Sequence, residues 1–245
     1  MPTATPTEPS LSSHVALVTG ASRGIGRALV QTLAARGASR VYATARDPRT
    51  LADLGSRVTA LRLDVTDPDS VARAAEAAQD VTLLINNAGS LRSYDVIEAS
   101  RQDLEADLAV NFFGLLEVTK AFRPALVKSE VGTLVNLLTL VSLAPMAGIG
   151  GYSASKAAAF SLTQSLRATL GTEGVRVMGV YPGAVDTDML RGFEMPKASP
   201  ESVAKAICDG ILADEDDVFP DVMSRPLGAL WRDDPKALEA HFAAM

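Results

Sequence analysis

Short apolar runs alternate with stretches of helical periodicity along almost the whole chain. A strand that is apolar along nearly all of its length is buried on both faces, which is typical of parallel sheets covered by helices on either side. The pattern predicts six such strands and a short seventh, at residues 14–19, 40–44, 58–63, 81–85, 133–138, 175–180 and 218–219.

Helical stretches fill the gaps between these strands. Apolar spacing and capping residues predict helices over residues 25–36, 67–78, 102–127, 152–170 and 199–212, and a terminal helix that opens at Asp234. Residues 1–13, rich in proline and threonine, are predicted to be a flexible tail, and residues 14–245 a single domain. The predicted fold class is α/β, a Rossmann-like doubly wound parallel β-sheet with helices on both faces, which binds ligands beyond the carboxyl ends of its strands.

Composition narrows the possible functions. The 245 residues are 47% hydrophobic and carry a net charge of −6, which excludes a disordered chain and disfavours nucleic acid as a partner. One cysteine and two histidines cannot form a disulfide or a zinc site, so no metal is predicted. No apolar run reaches the roughly 18 residues that span a bilayer, and residues 1–13 lack signal-peptide features. We expect a cytoplasmic protein without membrane contact.

A glycine-rich turn, Thr-Gly-Ala-Ser-Arg-Gly-Ile-Gly at residues 19–26, joins the first predicted strand to the first helix. Glycines let the backbone approach a phosphate, and the helix N-terminus offers free N–H groups and a positive dipole end. The spacing is G-x-x-x-G-x-G rather than G-x-G-x-x-G, so a plain turn without a ligand is an alternative. Ser22, flanked by Gly20 and Gly24, also fits the G-x-S-x-G turn of serine hydrolases, but the only histidine downstream is His241.

Tyr152 and Lys156 are four residues apart and share one face of a predicted helix. A tyrosine pKa of about 10 is too high for efficient acid/base work near neutrality. Because a nearby ammonium favours the phenolate, we expect Lys156 to lower the pKa of Tyr152. The pair would then exchange a proton with an alcohol or carbonyl oxygen without a histidine. The alternative is a packing aromatic beside a solvated lysine.

Several segments together resemble the classical short-chain dehydrogenase/reductase family: the glycine turn, the Asn-Asn-Ala-Gly run at residues 86–89, Asn111, the Tyr-x-x-x-Lys pair, and Pro182-Gly183 with Val185 and Thr187. The resemblance spans residues 14 to about 190. It implies an oxidoreductase that uses a nicotinamide cofactor. It also implies that Lys156 holds the nicotinamide ribose, that Asn111 holds a water in a proton relay from Lys156 to solvent, and that Asn87 braces the sheet.

The resembled family carries a catalytic serine 13 residues before the tyrosine, and this chain has Thr139 there. Threonine keeps a hydroxyl that can donate to the substrate oxygen, but its extra methyl crowds the site. Ser142, three residues further on, is the alternative third catalytic residue.

The residues after the second predicted strand favour NADP over NAD. NAD-binding sheets place an acidic residue roughly 20 residues past the glycine turn. Ala45 stands where NAD-dependent relatives have aspartate, and Arg46, with Arg23, offers donors for a 2′-phosphate. Asp47 could instead bind the ribose, but Asp47-Pro48 is typical of a helix start. Resemblance and charge together predict the cofactor-binding residues Gly20, Ser22, Arg23, Gly24, Ile25, Gly26, Arg46, Asp64, Val65, Asn87, Ala88, Gly89, Tyr152, Lys156, Pro182, Gly183, Val185 and Thr187.

The chain is thus predicted to be an NADP(H)-dependent oxidoreductase that interconverts a carbonyl and a secondary alcohol by hydride transfer, with Tyr152 as general acid/base. A non-catalytic NADP-binding sensor on the same fold is the alternative. The predicted substrate loop, at about residues 188–198, is rich in apolar side chains, which suggests an apolar small-molecule substrate but equally suits a lid that packs on itself. The resembled family usually pairs through the helices predicted at residues 102–127 and 152–170, which implies a homodimer or homotetramer.

Overall fold

Seven strands form one sheet in residues 10–245, the part of the chain that the computed structural model describes. They are β1 (Val15–Val18), β2 (Arg40–Ala45), β3 (Val58–Arg62), β4 (Leu83–Asn86), β5 (Thr133–Leu137), β6 (Arg176–Val180) and β7 (Asp217–Val218). Their order is β3-β2-β1-β4-β5-β6-β7, and every pairing is parallel. The predicted sheet is confirmed, and the chain reverses its direction of strand addition between β1 and β4, where such sheets bind ligands.

Helices cover both faces of this sheet: α1 (Gly24–Ala35), α2 (Pro68–Ala77), α3 (Arg101–Leu108), α4 (Leu115–Lys128), α5 (Gly150–Gly171), α6 (Pro200–Leu212), α7 (Ser224–Asp233) and α8 (Pro235–Ala243). Successive strand residues point to opposite faces. In β1, Ala16 and Val18 pack in the core beneath α1 and α6, whereas Leu17 packs in the core beneath α2, α4 and α5. Within the described residues, no helix is both long enough and apolar enough to cross a membrane.

Three predicted helix starts are confirmed by side-chain caps. Asp67, Ser199 and Asp234 accept backbone N–H groups at the starts of α2, α6 and α8. Each cap satisfies donors that have no partner within the helix. Helix α7 was not predicted, because Pro226 and Gly228 interrupt its helical pattern.

The predicted tail boundary is wrong for residues 10–13. Leu11 is fully buried in the core beneath α1 and α6, and its N–H donates to the carbonyl of Arg36 at 3.1 Å. Burial of a leucine side chain stabilises a fold by about 1.5–3 kcal/mol, so these residues belong to the folded domain. Residues 1–9 of the predicted tail lie outside the described residues.

The prediction of a single α-helix at residues 102–127 is also corrected. Helices α3 and α4 are joined by a π-helical segment, Ala109–Gly114, that contains Asn111. Such segments are rare and occur frequently at functional sites. Gly114 is required here, because a Cβ on it would lie 2.8 Å from the Cγ2 atom of Val65. The segment therefore packs closely on the loop that follows β3.

Candidate active site

The glycine turn joins β1 to α1 at the centre of the carboxyl edge of the sheet. Gly20 and Gly24 have φ angles of +66° and +54°, which residues with side chains rarely adopt. A Cβ on Gly26 would lie 2.4 Å from both the Gly20 carbonyl oxygen and Asn87 Nδ2. The start of α1 has no side-chain cap and no acidic residue in its first turn. Its free N–H groups and positive dipole end therefore fit an anionic group such as a cofactor phosphate.

The loop after β4 braces that turn. Asn87 Nδ2 donates to the carbonyl oxygens of Thr19 at 2.8 Å and Gly20 at 3.2 Å. In return, Thr19 Oγ1 accepts the N–H groups of Asn87 at 2.9 Å and Ala88 at 3.0 Å. These bonds hold the ends of the two central strands together, as the bracing role predicted for Asn87 requires.

Tyr152 and Lys156 lie in the first turns of α5 and are 8% and 5% exposed. Lys156 Nζ donates to the carbonyl of Leu137, at the end of β5, at 2.8 Å. It also lies 3.8 Å from where a Cβ on Gly89 would be, so α5 meets the loop after β4 here. A lysine buried against a strand end is not a solvated surface charge, which removes that alternative for Lys156.

The pKa values of this pair differ from the sequence expectation. Burial raises the pKa of Tyr152, and the negative charge of Asp107 raises it further. Burial lowers the pKa of Lys156 to about 8, while Asp107 opposes that shift. The prediction of a lowered Tyr152 pKa is therefore wrong for this structure, because the loss of water around the phenol dominates and Lys156 is not among the groups that shift it. The phenol keeps its proton at neutral pH, which is the form that can donate to an oxygen.

Asn111 is buried, and its amide links two parts of the site. Its Oδ1 accepts the N–H of Ser90 at 2.9 Å, and its Nδ2 donates to the carbonyl of Ser90 at 2.8 Å and to Ser155 Oγ at 2.9 Å. Asn111 thus ties the loop after β4 to α5. Its role in a water relay stays a prediction.

The two candidate hydroxyls after β5 differ in how their protons are used. The Thr139 hydroxyl is half-buried and donates to the carbonyl of Pro182 at 3.3 Å, a long bond. Ser142 is buried, and its hydroxyl donates to the carbonyl of Thr139 at 2.5 Å. A short bond commits the Ser142 proton more firmly than a long bond commits that of Thr139. This difference favours Thr139 as the hydrogen-bond donor to a substrate.

The ends of β2 and β3 form an exposed, charged part of the edge. Arg46 is exposed and forms no hydrogen bond or ion pair with other residues between 10 and 245. Partial burial opposes the ionisation of Asp64, but hydrogen bonds from Thr66 and the charge of Arg46 leave its pKa lowered. Asp47 caps the short 3-10 helix Pro48–Leu51 and pairs with Arg49 at 2.8 Å, so the predicted capping role of Asp47 is confirmed.

The loop after β6 folds back onto the glycine turn. The side chain of Thr187 lies 3.0 Å from where a Cβ on Gly24 would be, and Val185 pairs with Ala198 in an isolated bridge. A cleft of about 620 Å³ lies between this loop and the start of α1. At its rim, Arg23 pairs with Asp188 at 3.5 Å.

The family model for short chain dehydrogenases matches residues 14–197. The chain belongs to the short-chain dehydrogenase/reductase family. A short-chain dehydrogenase from Burkholderia cenocepacia J2315, solved in complex with NADP, is 38% identical, with a TM-score of 0.90 over 95% of this chain and 98% of that one. The 3-oxoacyl-(acyl-carrier-protein) reductase FabG of Escherichia coli K12 is 35% identical over 75% of this chain and 78% of its own length.

Solved members of the short-chain dehydrogenase/reductase family hold either nicotinamide cofactor. A 3-ketoacyl-(acyl-carrier-protein) reductase from Brucella melitensis, complexed with NADH, is 25% identical, with a TM-score of 0.77 over 82% of this chain and 92% of that one. The family consists of oxidoreductases that bind a nicotinamide cofactor and act on small molecules. Membership therefore leaves the choice between NADP and NAD to the residues of this chain.

The site residues predicted from the sequence lie at the carboxyl edge of the sheet. Two residues named for alternative roles, Ser142 and Ser22, fit those roles less well. Ser142 turns its hydroxyl onto the backbone. Ser22 lies in the glycine turn, but among the described residues no histidine hydrogen-bonds to it, so the serine-hydrolase alternative lacks its base.

Several buried polar residues that support the site had no role predicted from the sequence. Asp221 Oδ2 accepts the N–H of Gly183 at 2.9 Å. Asn86 Nδ2 donates to Asn136 Oδ1 at 3.0 Å, which cross-links β4 and β5. Asp107 is fully buried beside the loop after β4. A signal was present in the two asparagines, because Asn136 interrupts an otherwise apolar strand and Asn86 ends another.

Proposed function

We propose that this chain is an NADP(H)-dependent oxidoreductase that interconverts a carbonyl compound and a secondary alcohol, with Tyr152 as general acid/base. The observation that carries the proposal is the buried Tyr152–Lys156 pair, whose lysine lies next to Gly89 on the same edge of the sheet as the glycine turn. A phenol that keeps its proton at neutral pH suits the direction of carbonyl reduction, since it can donate to the oxygen as negative charge develops there.

Four residues of the site have a role in this proposal. The nicotinamide cofactor supplies or accepts the hydride when it is bound. Tyr152 donates its hydroxyl proton to the developing alkoxide in reduction and accepts a proton in oxidation. Thr139 Oγ1 donates a hydrogen bond to the same oxygen, and Lys156 holds the nicotinamide ribose. Asn111 holds the water that returns the proton from solvent.

Arg46 supports NADP as the cofactor. Its guanidinium is exposed at the end of β2 and has no partner among the described residues, so it is free to bind a 2′-phosphate. Asp47, the competing ribose ligand, is already engaged by Arg49 and by its helix cap. Arg23 lies in the glycine turn and adds a second exposed positive charge. The relative from Burkholderia cenocepacia, which was solved with NADP, is consistent with this choice.

The substrate loop supports a small apolar carbonyl substrate. Met189 and Phe193 are each 39% exposed, so these apolar side chains do not pack away within the loop itself. Exposed apolar surface beside a site lowers the free energy of binding for an apolar ligand. An apolar ketone should therefore have a lower KM than a polar ketone of the same size.

We propose further that two copies pair through α4 and α5 together with the π-helical segment. Phe113, in that segment, is 56% exposed, and Val127 near the end of α4 is 39% exposed. Sedimentation equilibrium would give a dimer or a tetramer, and Phe113→Asp should shift the population toward monomer. A wild-type chain that sediments as a monomer would contradict this pairing.

A panel of ketones and alcohols, followed by nicotinamide absorbance, tests the proposed activity. We expect NADPH oxidation with at least one apolar ketone and the reverse reaction with the matching secondary alcohol. The sensor alternative predicts tight NADPH binding without turnover on any member of the panel. Binding of NADPH, measured by fluorescence titration, separates an inactive enzyme preparation from a protein that does not bind the cofactor.

A further inference from the structure

Asp107, near the end of α3, is fully buried and lies one helical turn before Asn111. Its carboxylate accepts the N–H of Arg92 at 3.0 and 3.1 Å, the N–H of Ser93 at 3.0 Å and the hydroxyl of Ser93 at 2.6 Å. A buried carboxylate costs free energy unless its oxygens are hydrogen-bonded. All of these bonds go to the loop after β4, so the carboxylate fixes that loop.

The same loop holds the start of α5. The carbonyl of Ser93 accepts the N–H of Tyr152 at 3.2 Å, and the carbonyl of Tyr94 accepts the N–H of Gly151 at 3.3 Å. These N–H groups belong to the first turn of the helix and have no partner within it. A Cβ on Gly151 would lie 2.6 Å from Ser93 Cβ, so the contact is close. One residue, Ser93, therefore links the Asp107 carboxylate to the backbone of Tyr152.

We propose that Asp107 is a positioning residue for the Tyr152–Lys156 pair, because its carboxylate holds residues 92–94 against the first turn of α5 and places a negative charge beside the two side chains. The inference rests on the proposed role of Tyr152 as acid/base. It assigns Asp107 no contact with substrate or cofactor.

The charges around the pair single out Asp107. On α3, the other charged residues (Arg101, Asp103 and Glu105) are not buried, and neither are those of α4. The π-helical segment and residues 139–146 carry no charged residue. In the loop after β4, Arg92 is the one charged residue before Asp95, and its side chain is exposed. On β6, Arg176 bonds to the carbonyl of Ile211. The charge of Asp107 also acts on both side chains: it adds to the rise of the Tyr152 pKa and opposes the fall of the Lys156 pKa.

A pH profile separates this role from a purely structural one. Asp107→Asn removes the charge, so the pKa values of Tyr152 and Lys156 both fall. The alkaline limb of the pH profile of kcat/KM for reduction should then move about one pH unit toward acid, which is the low end of the pKa shifts that a nearby charge causes. Turnover at neutral pH should fall about tenfold, through the lost hydrogen bonds to a charged group. An unmoved limb in folded Asp107→Asn would overturn the electrostatic part of the proposal. If that variant does not fold, Asp107→Ser also removes the charge and takes its place.

Asp221→Asn is the matched control. Asp221 is 5% exposed and, like Asp107, accepts backbone N–H groups, those of Gly183, Met223 and Ser224. Its charge does not act on Tyr152 or Lys156. Its substitution should therefore change stability or cofactor affinity while the alkaline limb stays in place. A limb that moves equally in both variants would show a general effect of losing a buried carboxylate and would also overturn the proposal.

Ser93→Ala tests the mechanical link and needs no substrate. The variant keeps the charge and removes only the hydroxyl that bonds to the carboxylate. Hydrogen exchange at the amides of Arg92, Ser93 and Tyr152 should become about tenfold faster, the effect of losing a hydrogen bond to a charged group, with an unchanged pH profile. Unchanged exchange would overturn the positioning role whatever the substrate is. Faster exchange in a protein without any turnover would instead count against the proposed function alone.

Discussion

The carboxyl edge of the sheet has two unlike halves. Around α5, Tyr152, Lys156 and Asn111 are buried, and hydrogen bonds to Leu137, Ser90 and Ser155 fix the lysine and the asparagine. At the ends of β2 and β3, Arg46 is exposed and without a partner among the described residues. Buried polar groups interact strongly because water does not compete with them, whereas exposed charges are screened. Single changes should therefore cost far more in the buried half than in the exposed one.

Tyr152→Phe should give the largest effect. It deletes one hydroxyl and keeps the ring, so turnover should fall by about 10²–10⁴-fold, the range for a positioned acid/base. Steady-state kinetics with NADPH and an active ketone measures it. Cofactor affinity and melting temperature should stay near wild type, and a variant that keeps near-normal turnover would remove Tyr152 from the proposed mechanism.

Thr139→Val should come next. The substitution keeps the branched shape and removes the donor, so kcat should fall by about 10²–10³-fold, as when a preorganised oxyanion donor is lost. Ser142→Ala is the comparison, with less than about a tenfold loss, because that hydroxyl is already bound to a backbone carbonyl. The reverse ranking in folded variants would move the role to Ser142.

Arg46→Ala probes the exposed half. Loss of a charge-assisted, bidentate contact should weaken NADPH binding by about 1.5–3 kcal/mol. NADH lacks the 2′-phosphate, so its affinity should change little. Isothermal titration with both cofactors gives the answer; an equal loss for the two, or a wild-type preference for NADH, would contradict the assignment of NADP.

Asp188→Asn should give the smallest effect. The Arg23–Asp188 pair is exposed and 3.5 Å long, and such pairs contribute about 0–1 kcal/mol. Releasing Arg23 should tighten NADPH binding by at most about fivefold, and high salt should abolish the difference. Glu173→Gln, which breaks the partly exposed Arg123–Glu173 pair on the α4–α5 side, is the control and should leave NADPH affinity unchanged. A loss of affinity in Asp188→Asn would mean that the ion pair supports the cofactor site.

The predictable parts of the molecule are those that local sequence controls. The strands and the order of motifs along the carboxyl edge follow from the alternation of apolar runs with helical stretches. The caps at Asp67 and Ser199 follow from short-range hydrogen bonds. The sign of the Tyr152 pKa shift could not be predicted, because helical spacing gives the distance to Lys156 but not the depth of burial. Helix α7 was missed because Pro226 and Gly228 weaken its helical pattern locally. In the structure, Gly228 lets this helix pack on Phe219, where a Cβ would come within 2.4 Å of the ring.

The braced glycine turn has a consequence for how the molecule is made. The bonds from Asn87 and Ala88 to Thr19 and Gly20 join residues that are 67 to 69 positions apart in the chain. Contacts of such long separation require closure of a large loop and form slowly. During synthesis, the first strand, turn and helix leave the ribosome well before their brace exists. The cofactor site therefore matures only after β4 has docked beside β1, and an N-terminal fragment that ends before β4 should not retain NADPH.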